Sequence, residues 1–151
     1  MHLSPYLNLD GRAEEAIKFY QKALDAKVEM MMRFKENPEP EVGMMPPGAG
    51  NKIMHANLQI GPHNLMLSDG QCTGKSTFTG VSLSLTVKSD AKAEKLFKAL
   101  GTGGHVTMPM IATFYASRFG MVADKFGVHW MVLTNAPAKS AKATKPSKPK
   151  K

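Results

Sequence analysis

The chain has 151 residues, 42% of them apolar, and a formal net charge of +8. One cysteine, Cys72, excludes an intramolecular disulfide and a cysteine-rich zinc site. No apolar run approaches the roughly 20 residues of a bilayer-spanning helix, and MHLSPYLNLDGR lacks a basic segment followed by an apolar one, so a cytoplasmic protein without membrane contact is expected.

The first extended run is LSPYLNLD. In the RAEEAIKFYQKALDA that follows, Ala13, Ala16, Ile17, Tyr20 and Leu24 recur at three- and four-residue steps and predict a helix with one apolar stripe. Asp10-Gly11 can cap or turn ahead of it, and Glu14 and Glu15 suit the positive helix start. KVEMMMRFK reads as strand, and residues 36–51, with four prolines and three glycines, as a long connecting loop. KIMHANLQIG and HNLMLSD read as two more strands.

The run DGQCTGKST encloses three residues between Gly70 and Gly74, one short of a phosphate-binding loop, and strand rather than helix follows it. It reads as a linker. In VSLSLTV, Val81, Leu83, Leu85 and Val87 alternate with Ser82, Ser84 and Thr86, giving an aliphatic and a hydroxyl face. DAKAEKLFKALG predicts a second helix through Ala93, Leu96, Phe97 and Leu100, with Ser89 or Asp90 as cap and Gly101 as stop. HVTMPM, SRFGMVAD and GVHWMVL complete the strands. Between the last two, Asp124-Lys125-Phe126-Gly127 reads as a hairpin turn, with Asp124 taking backbone donors and Gly127 a positive φ. Val128, Trp130 and Val132 are then expected toward a helix, and His129 and Met131 away from it.

The order β-α-β-β-β thus occurs twice, with first strands starting about 78 residues apart. The expected organisation is a module over 1–69, a linker over 70–80, a second module over 81–133 and a basic tail over 134–151. The tail holds six lysines, three prolines and no acidic residue, leaving 14 basic against 12 acidic residues in the body. A disordered, solubilising extension is the reading, and loose, salt-sensitive contact with nucleic acid is the sharper version of it.

The ordered set Ser4-Pro5-Tyr6-Leu7, Asp10-Gly11, Glu14-Glu15-Ala16, Phe19-Tyr20, Leu65-Met66-Leu67-Ser68-Asp69, Met108-Pro109, Thr113-Phe114-Tyr115, and Phe119-Gly120 through Asp124-Lys125-Phe126-Gly127-Val128 to Trp130 carries a resemblance. It resembles the PhnB-like branch of the vicinal-oxygen-chelate superfamily, which includes glyoxalase I, bleomycin-resistance proteins and extradiol dioxygenases. That branch carries a 3-demethylubiquinone 3-methyltransferase label. The likeness spans residues 3–133, departing at Tyr115-Ala116, where the branch commonly has Trp-Gly. It implies an α+β fold of two βαβββ modules, a curved mixed sheet around a cup with helices on the outer face, and a homodimer. It also implies four metal-ligand positions, near Ser4 or Pro5 and at Met66, Ser82 and Met131. Thioether and neutral hydroxyl groups are poor donors for a divalent metal, so neither metal nor other cofactor is expected.

The five histidines, His2, His55, His63, His105 and His129, show no metal-binding spacing. By alternation His55 shares a face with Asn57 and Gln59, and His129 with Met131. Gly101-Thr-Gly103-Gly104 follows a helix, the wrong context for dinucleotide binding or a Rossmann-type methyltransferase. Twelve methionines suit an adaptable apolar site as well as a core. The expected function is metal-independent binding of a hydrophobic or aromatic small molecule by His55, Gln59, Met66, Ser82, Ser84, Tyr115, His129 and Met131. The alternatives are a metal-dependent lyase, isomerase or dioxygenase, and a structural or regulatory homodimer whose tail contacts polyanions.

Overall fold

The computed structural model describes residues 1–40 and 45–134. The first module comprises β1 (Tyr6–Asn8), α1 (Ala13–Leu24), β2 (Lys27–Arg33) with a 3-10 turn at Phe34–Glu36, β3 (Ile53–Ile60) and β4 (His63–Ser68). The second comprises β5 (Leu83–Val87), α2 (Asp90–Gly101), β6 (His105–Ile111), β7 (Phe119–Ala123) and β8 (His129–Thr134). Each module folds a four-stranded mixed sheet, in the orders β1-β4-β3-β2 and β5-β8-β7-β6. The first strand of each runs parallel to the last, and the other pairs are antiparallel. This is the α+β architecture of two βαβββ modules. No helix among the described residues is long and apolar enough to cross a membrane. Residues 135–151, nearly all of the expected tail, lie outside the described residues.

The stripe of α1 is buried throughout: Ala13, Ala16, Ile17, Tyr20 and Leu24. Asp10 and Gly11 form a turn, at φ +47° and +104°, and neither caps the helix. The cap comes instead from Asp69, at the far end of the module. Its Oδ1 accepts from Gly11 N–H at 2.9 Å and Ala13 N–H at 2.7 Å, and its Oδ2 from Ile53 N–H at 2.7 Å. One buried carboxylate thus ties the starts of α1 and β3 to the end of β4, using donors that a helix start leaves free. In α2 the expected cap forms, Ser89 Oγ accepting from Lys92 N–H, and the helix ends at Gly101.

The strands alternate as their sequences predict. Ala56, Leu58, Leu65 and Leu67 are buried in the first sheet, and Val122, Trp130 and Val132 in the second. β1 and β5 are shorter than their sequence runs. Pro5 has no N–H to extend the first ladder. Val81 and Ser82 lie before the first registered pair of the other, Leu83 with Trp130.

The inward faces of both sheets, together with α1 and α2, share one core. Tyr20 of α1 meets Trp130 of β8 edge to face at 5.6 Å, and Phe126 packs on Phe19 at 5.6 Å. Within the second module, Gly104, between α2 and β6, lies against the end of β7, where a Cβ would stand 2.0 Å from the Ala123 carbonyl oxygen.

Candidate ligand-binding faces

With one face of each sheet turned to the shared core, the other face of each is turned away from it. Register fixes what they carry. Across the first sheet Tyr6 lies beside Met66, Met66 opposite Asn57, and Asn57 opposite Met30. Across the second, Ser84 lies beside Met131, Met131 opposite Met121, and Met121 opposite Met108. The two rows occupy equivalent positions in their modules, with Met66 and Met131 at the same place in each.

The first face is the more polar. Tyr6 reaches over β4 to His55 on β3, its hydroxyl oxygen 3.0 Å from Nδ1 and the rings 5.5 Å apart at 29°. Asn57 donates its amide to Glu29 at 2.8 Å, and Glu29 sits where the β2–β3 register shifts. Asn57 Oδ1 is buried without a partner, so Glu29 alone fixes the amide. Gln59 continues this face beside Asn64 and Lys27.

The second face is methionine and aromatic. Tyr115 covers Phe119 edge to face at 5.8 Å, and Phe114 stacks on Tyr115 at 4.9 Å while itself 90% exposed. Their loop is held firmly. Thr113 Oγ1 accepts from Ala116 N–H at 3.0 Å, Ser117 donates to Asp90, and Arg118 pairs with Glu94 at 3.1 Å. The Ser117 hydroxyl holds the Asp90 carboxyl below its usual range. A bare aromatic tip on a pinned loop is ordered before anything binds it.

The eight residues expected to form one site fall into two groups. His55, Gln59 and Met66 lie on the first outward face; Ser84, His129 and Met131 lie on the second, with Tyr115 at its rim. Ser82 is exposed just before β5. One chain does not bring these groups together. Ser84 also lines a cleft of about 250 Å³ at the module seam, with Ile60, Asn64, Leu65, Leu83 and Leu85, and another cleft of about 460 Å³ lies between α1 and α2. Sequence reasoning missed the Tyr6–His55 pair and the lock on Asn57. The outward parity of Tyr6 follows from buried Leu7, but its reach over β4 requires the strand order.

Pairing by register puts Tyr6 and Met66, then Ser84 and Met131, at the centre of the two faces. Phenol, hydroxyl and two thioethers do not fit a hard divalent cation.

The family model described as 3-demethylubiquinone-9 3-methyltransferase matches residues 1–133. The chain belongs to this family. A similar member of known structure is protein PA1353 from Pseudomonas aeruginosa, 40% identical with a TM-score of 0.78, covering 89% of this chain and 98% of that one. The PhnB protein from Bacillus cereus, described as a putative 3-demethylubiquinone-9 3-methyltransferase, is 26% identical with a TM-score of 0.74, covering 89% and 99%. Protein YjdN of Escherichia coli is 35% identical over 140 residues, 87% of this chain and 94% of that protein. A glyoxalase/bleomycin-resistance/dioxygenase domain from Frankia shares the fold alone, at 17% identity and a TM-score of 0.59 over 89% and 90% of the chains. The chain is therefore PhnB-like, with the fold of a glyoxalase/bleomycin-resistance/dioxygenase domain.

Proposed function

We propose that this PhnB-like chain is a cytoplasmic, metal-independent small-molecule-binding protein whose site is completed by a second copy. The observation that carries the reading is that each module packs one face of its sheet into the shared core and leaves the other face outward. The first module offers a polar half-cup and the second a methionine and aromatic half-cup. A homodimer that sets the first face of one copy against the second face of its partner closes two equal cups, and the contact is self-complementary as two-fold symmetry requires.

The surface left bare supports this. Met30 on the first face, and Met108 and Tyr115 on the second, are 42%, 36% and 50% exposed, and apolar surface left bare marks interaction or ligand sites. The ligand that suits such a cup has an aromatic or aliphatic body for Met121, Met131 and Tyr115, and a polar end for His55 and Gln59. Methyl transfer, named in the family description, is not extended to this chain. Among the described residues the parallel pairs are β1–β4 and β5–β8, with no run of parallel strands whose carboxyl ends form a nucleotide crevice.

The test combines mass measurement in solution with a thermal-shift screen of aromatic metabolites and antibiotics on chelator-treated protein. A dimer whose melting temperature rises with an aromatic ligand is expected, since binding stabilises the folded state by mass action. A monomer that binds such a ligand equally well overturns the shared cup, and binding only after metal is restored overturns metal independence.

A further inference from the structure

We infer that Tyr6 and His55 form a metal-free proton relay that interconverts the keto and enol forms of a carbonyl compound held against the first outward face. This rests on the proposed cup, since the relay needs a ligand on that face. The pair has one hydrogen bond, 3.0 Å between Tyr6 Oη and His55 Nδ1, and that bond is compatible with both imidazole tautomers. In one, Nδ1–H donates to Tyr6, leaving the phenol hydrogen and the Nε2 lone pair free. In the other, the phenol donates to Nδ1 and Nε2 carries the hydrogen. The two states differ by a shift of protons with no change of charge.

That shift matches an enolisation. A carbonyl oxygen accepts from Tyr6 Oη–H while its α-carbon lies against Nε2. The α C–H bond breaks, its proton goes to Nε2, and its electron pair forms the new carbon–carbon double bond. The carbonyl π pair moves onto oxygen, which takes the phenol proton, and Nδ1 passes its hydrogen to Tyr6 Oη. The enol leaves a neutral pair in the second tautomer, the state that starts the reverse reaction, so no co-reactant is consumed. A general acid and a general base held together in this way act as one unit.

The surroundings favour the chemistry. Tyr6 is 48% exposed, its bond to His55 lies at the surface, and the ring, laid across β4, is held by its stacking on His55. Met66 lies beside Tyr6 and offers apolar contact to the body of the substrate. A carbonyl compound with an acidic α C–H and an aromatic or aliphatic substituent is the class that fits.

The experiment follows deuterium exchange at the benzylic carbon of phenylpyruvate by proton NMR, on the full chain in chelator-containing D2O. Exchange about 10²-fold above protein-free buffer is expected. Tyr6→Phe, His55→Gln and the double variant should fall to one common background level. Both side chains face outward from the core, and circular dichroism confirms that the variants fold. His63→Asn, an exposed histidine outside the pair, keeps the full rate. Buffer-level exchange by the unaltered protein, or a full rate in either single variant, overturns the relay. A phenylpyruvate thermal shift on the same samples separates the two proposals. A shift without exchange removes the relay and leaves the cup; exchange and shift both absent remove the relay and count against the cup.

Discussion

Tyr20 of α1 donates its hydroxyl hydrogen to Asp124 Oδ2 across 2.6 Å, and that bond fastens the first module to the second. Trp130 Nε1–H donates to the same oxygen at 2.9 Å, while Phe126 and Val128 N–H donate to Oδ1 at 2.9 and 3.1 Å. Four neutral donors surround one buried carboxylate. Tyr20→Phe removes one bond to a charged acceptor and should cost about 1.5–3 kcal/mol. Asp124→Asn should cost more, because the amide turns a donor toward groups that are themselves donors. Urea denaturation checks both, through a lowered midpoint with an unchanged slope.

The same phenol gives the fold an alkaline limit. Burial, then the neighbouring Asp124 charge, pushes the Tyr20 pKa upward. In the unfolded chain the group titrates near about 10. Above that pH the unfolded state has released a proton that the folded state keeps, so stability falls as pH rises; below it this contribution is fully present. The midpoint in urea should therefore decline above about pH 10. Tyr20→Phe should start lower at neutral pH but decline less steeply. Parallel declines in the two proteins contradict this assignment.

Asp69 is the corresponding fastening within the first module. Asp69→Ala strands three backbone N–H groups, two at the start of α1 and one at the start of β3, and should cost about 2–4 kcal/mol. Hydrogen exchange gives the sharper readout. The Gly11, Ala13 and Ile53 amides should lose protection well beyond what the global loss of stability gives to Leu58 in mid-strand. A uniform loss across these amides removes Asp69 from the capping role.

Local patterns that were legible share a cause: period and turn chemistry act over a few residues. The α1 stripe, the alternation of Val128, Trp130 and Val132 with His129 and Met131, and the hairpin turn at Asp124–Gly127, with Gly127 at φ +85°, all follow from spacing alone. The role of Asp124 was only half legible. Its backbone partners lie two and four residues away, whereas Tyr20 lies 104 residues away. Asp69 lies 56 residues from Ala13, at the helix start that it caps. The faces bearing His55 and His129 could each be read from parity. That both turn away from one shared core depends on Tyr20, Phe126 and Trp130 packing between modules, which no local pattern encodes.

Gly104 tests how tightly the turn after α2 packs on the end of β7 within the second module. A Cβ there meets backbone atoms of Ala123 and Asp124 rather than a flexible side chain, so relief requires the turn after α2 to move. Gly104→Ala should cost about 1–3 kcal/mol, the range for overpacking a well-filled site. Gly127→Ala has open space around its Cβ and carries only the strain of its positive φ, about 1–2 kcal/mol. A thermal melt of the two variants should show Gly104→Ala losing at least as much as Gly127→Ala. A neutral Gly104→Ala shows that the turn yields.

The shared cup makes the centre of the second face decisive. Met121 lies between Met131 and Met108, facing away from the core, so Met121→Lys leaves the packing of a single chain intact. In a dimer the new ammonium would be taken out of water against the partner's first face. An unpaired buried charge opposes association by several kcal/mol. The variant should therefore run as a folded monomer in size-exclusion chromatography with light scattering, with the circular dichroism of the unaltered chain. It should lose the ligand-induced rise in melting temperature together with the dimer. Val122→Lys, one residue along the same strand but buried in the core, should instead fail to fold. That contrast assigns the first effect to the face rather than to the strand. A Met121→Lys protein that remains dimeric removes this face from the interface.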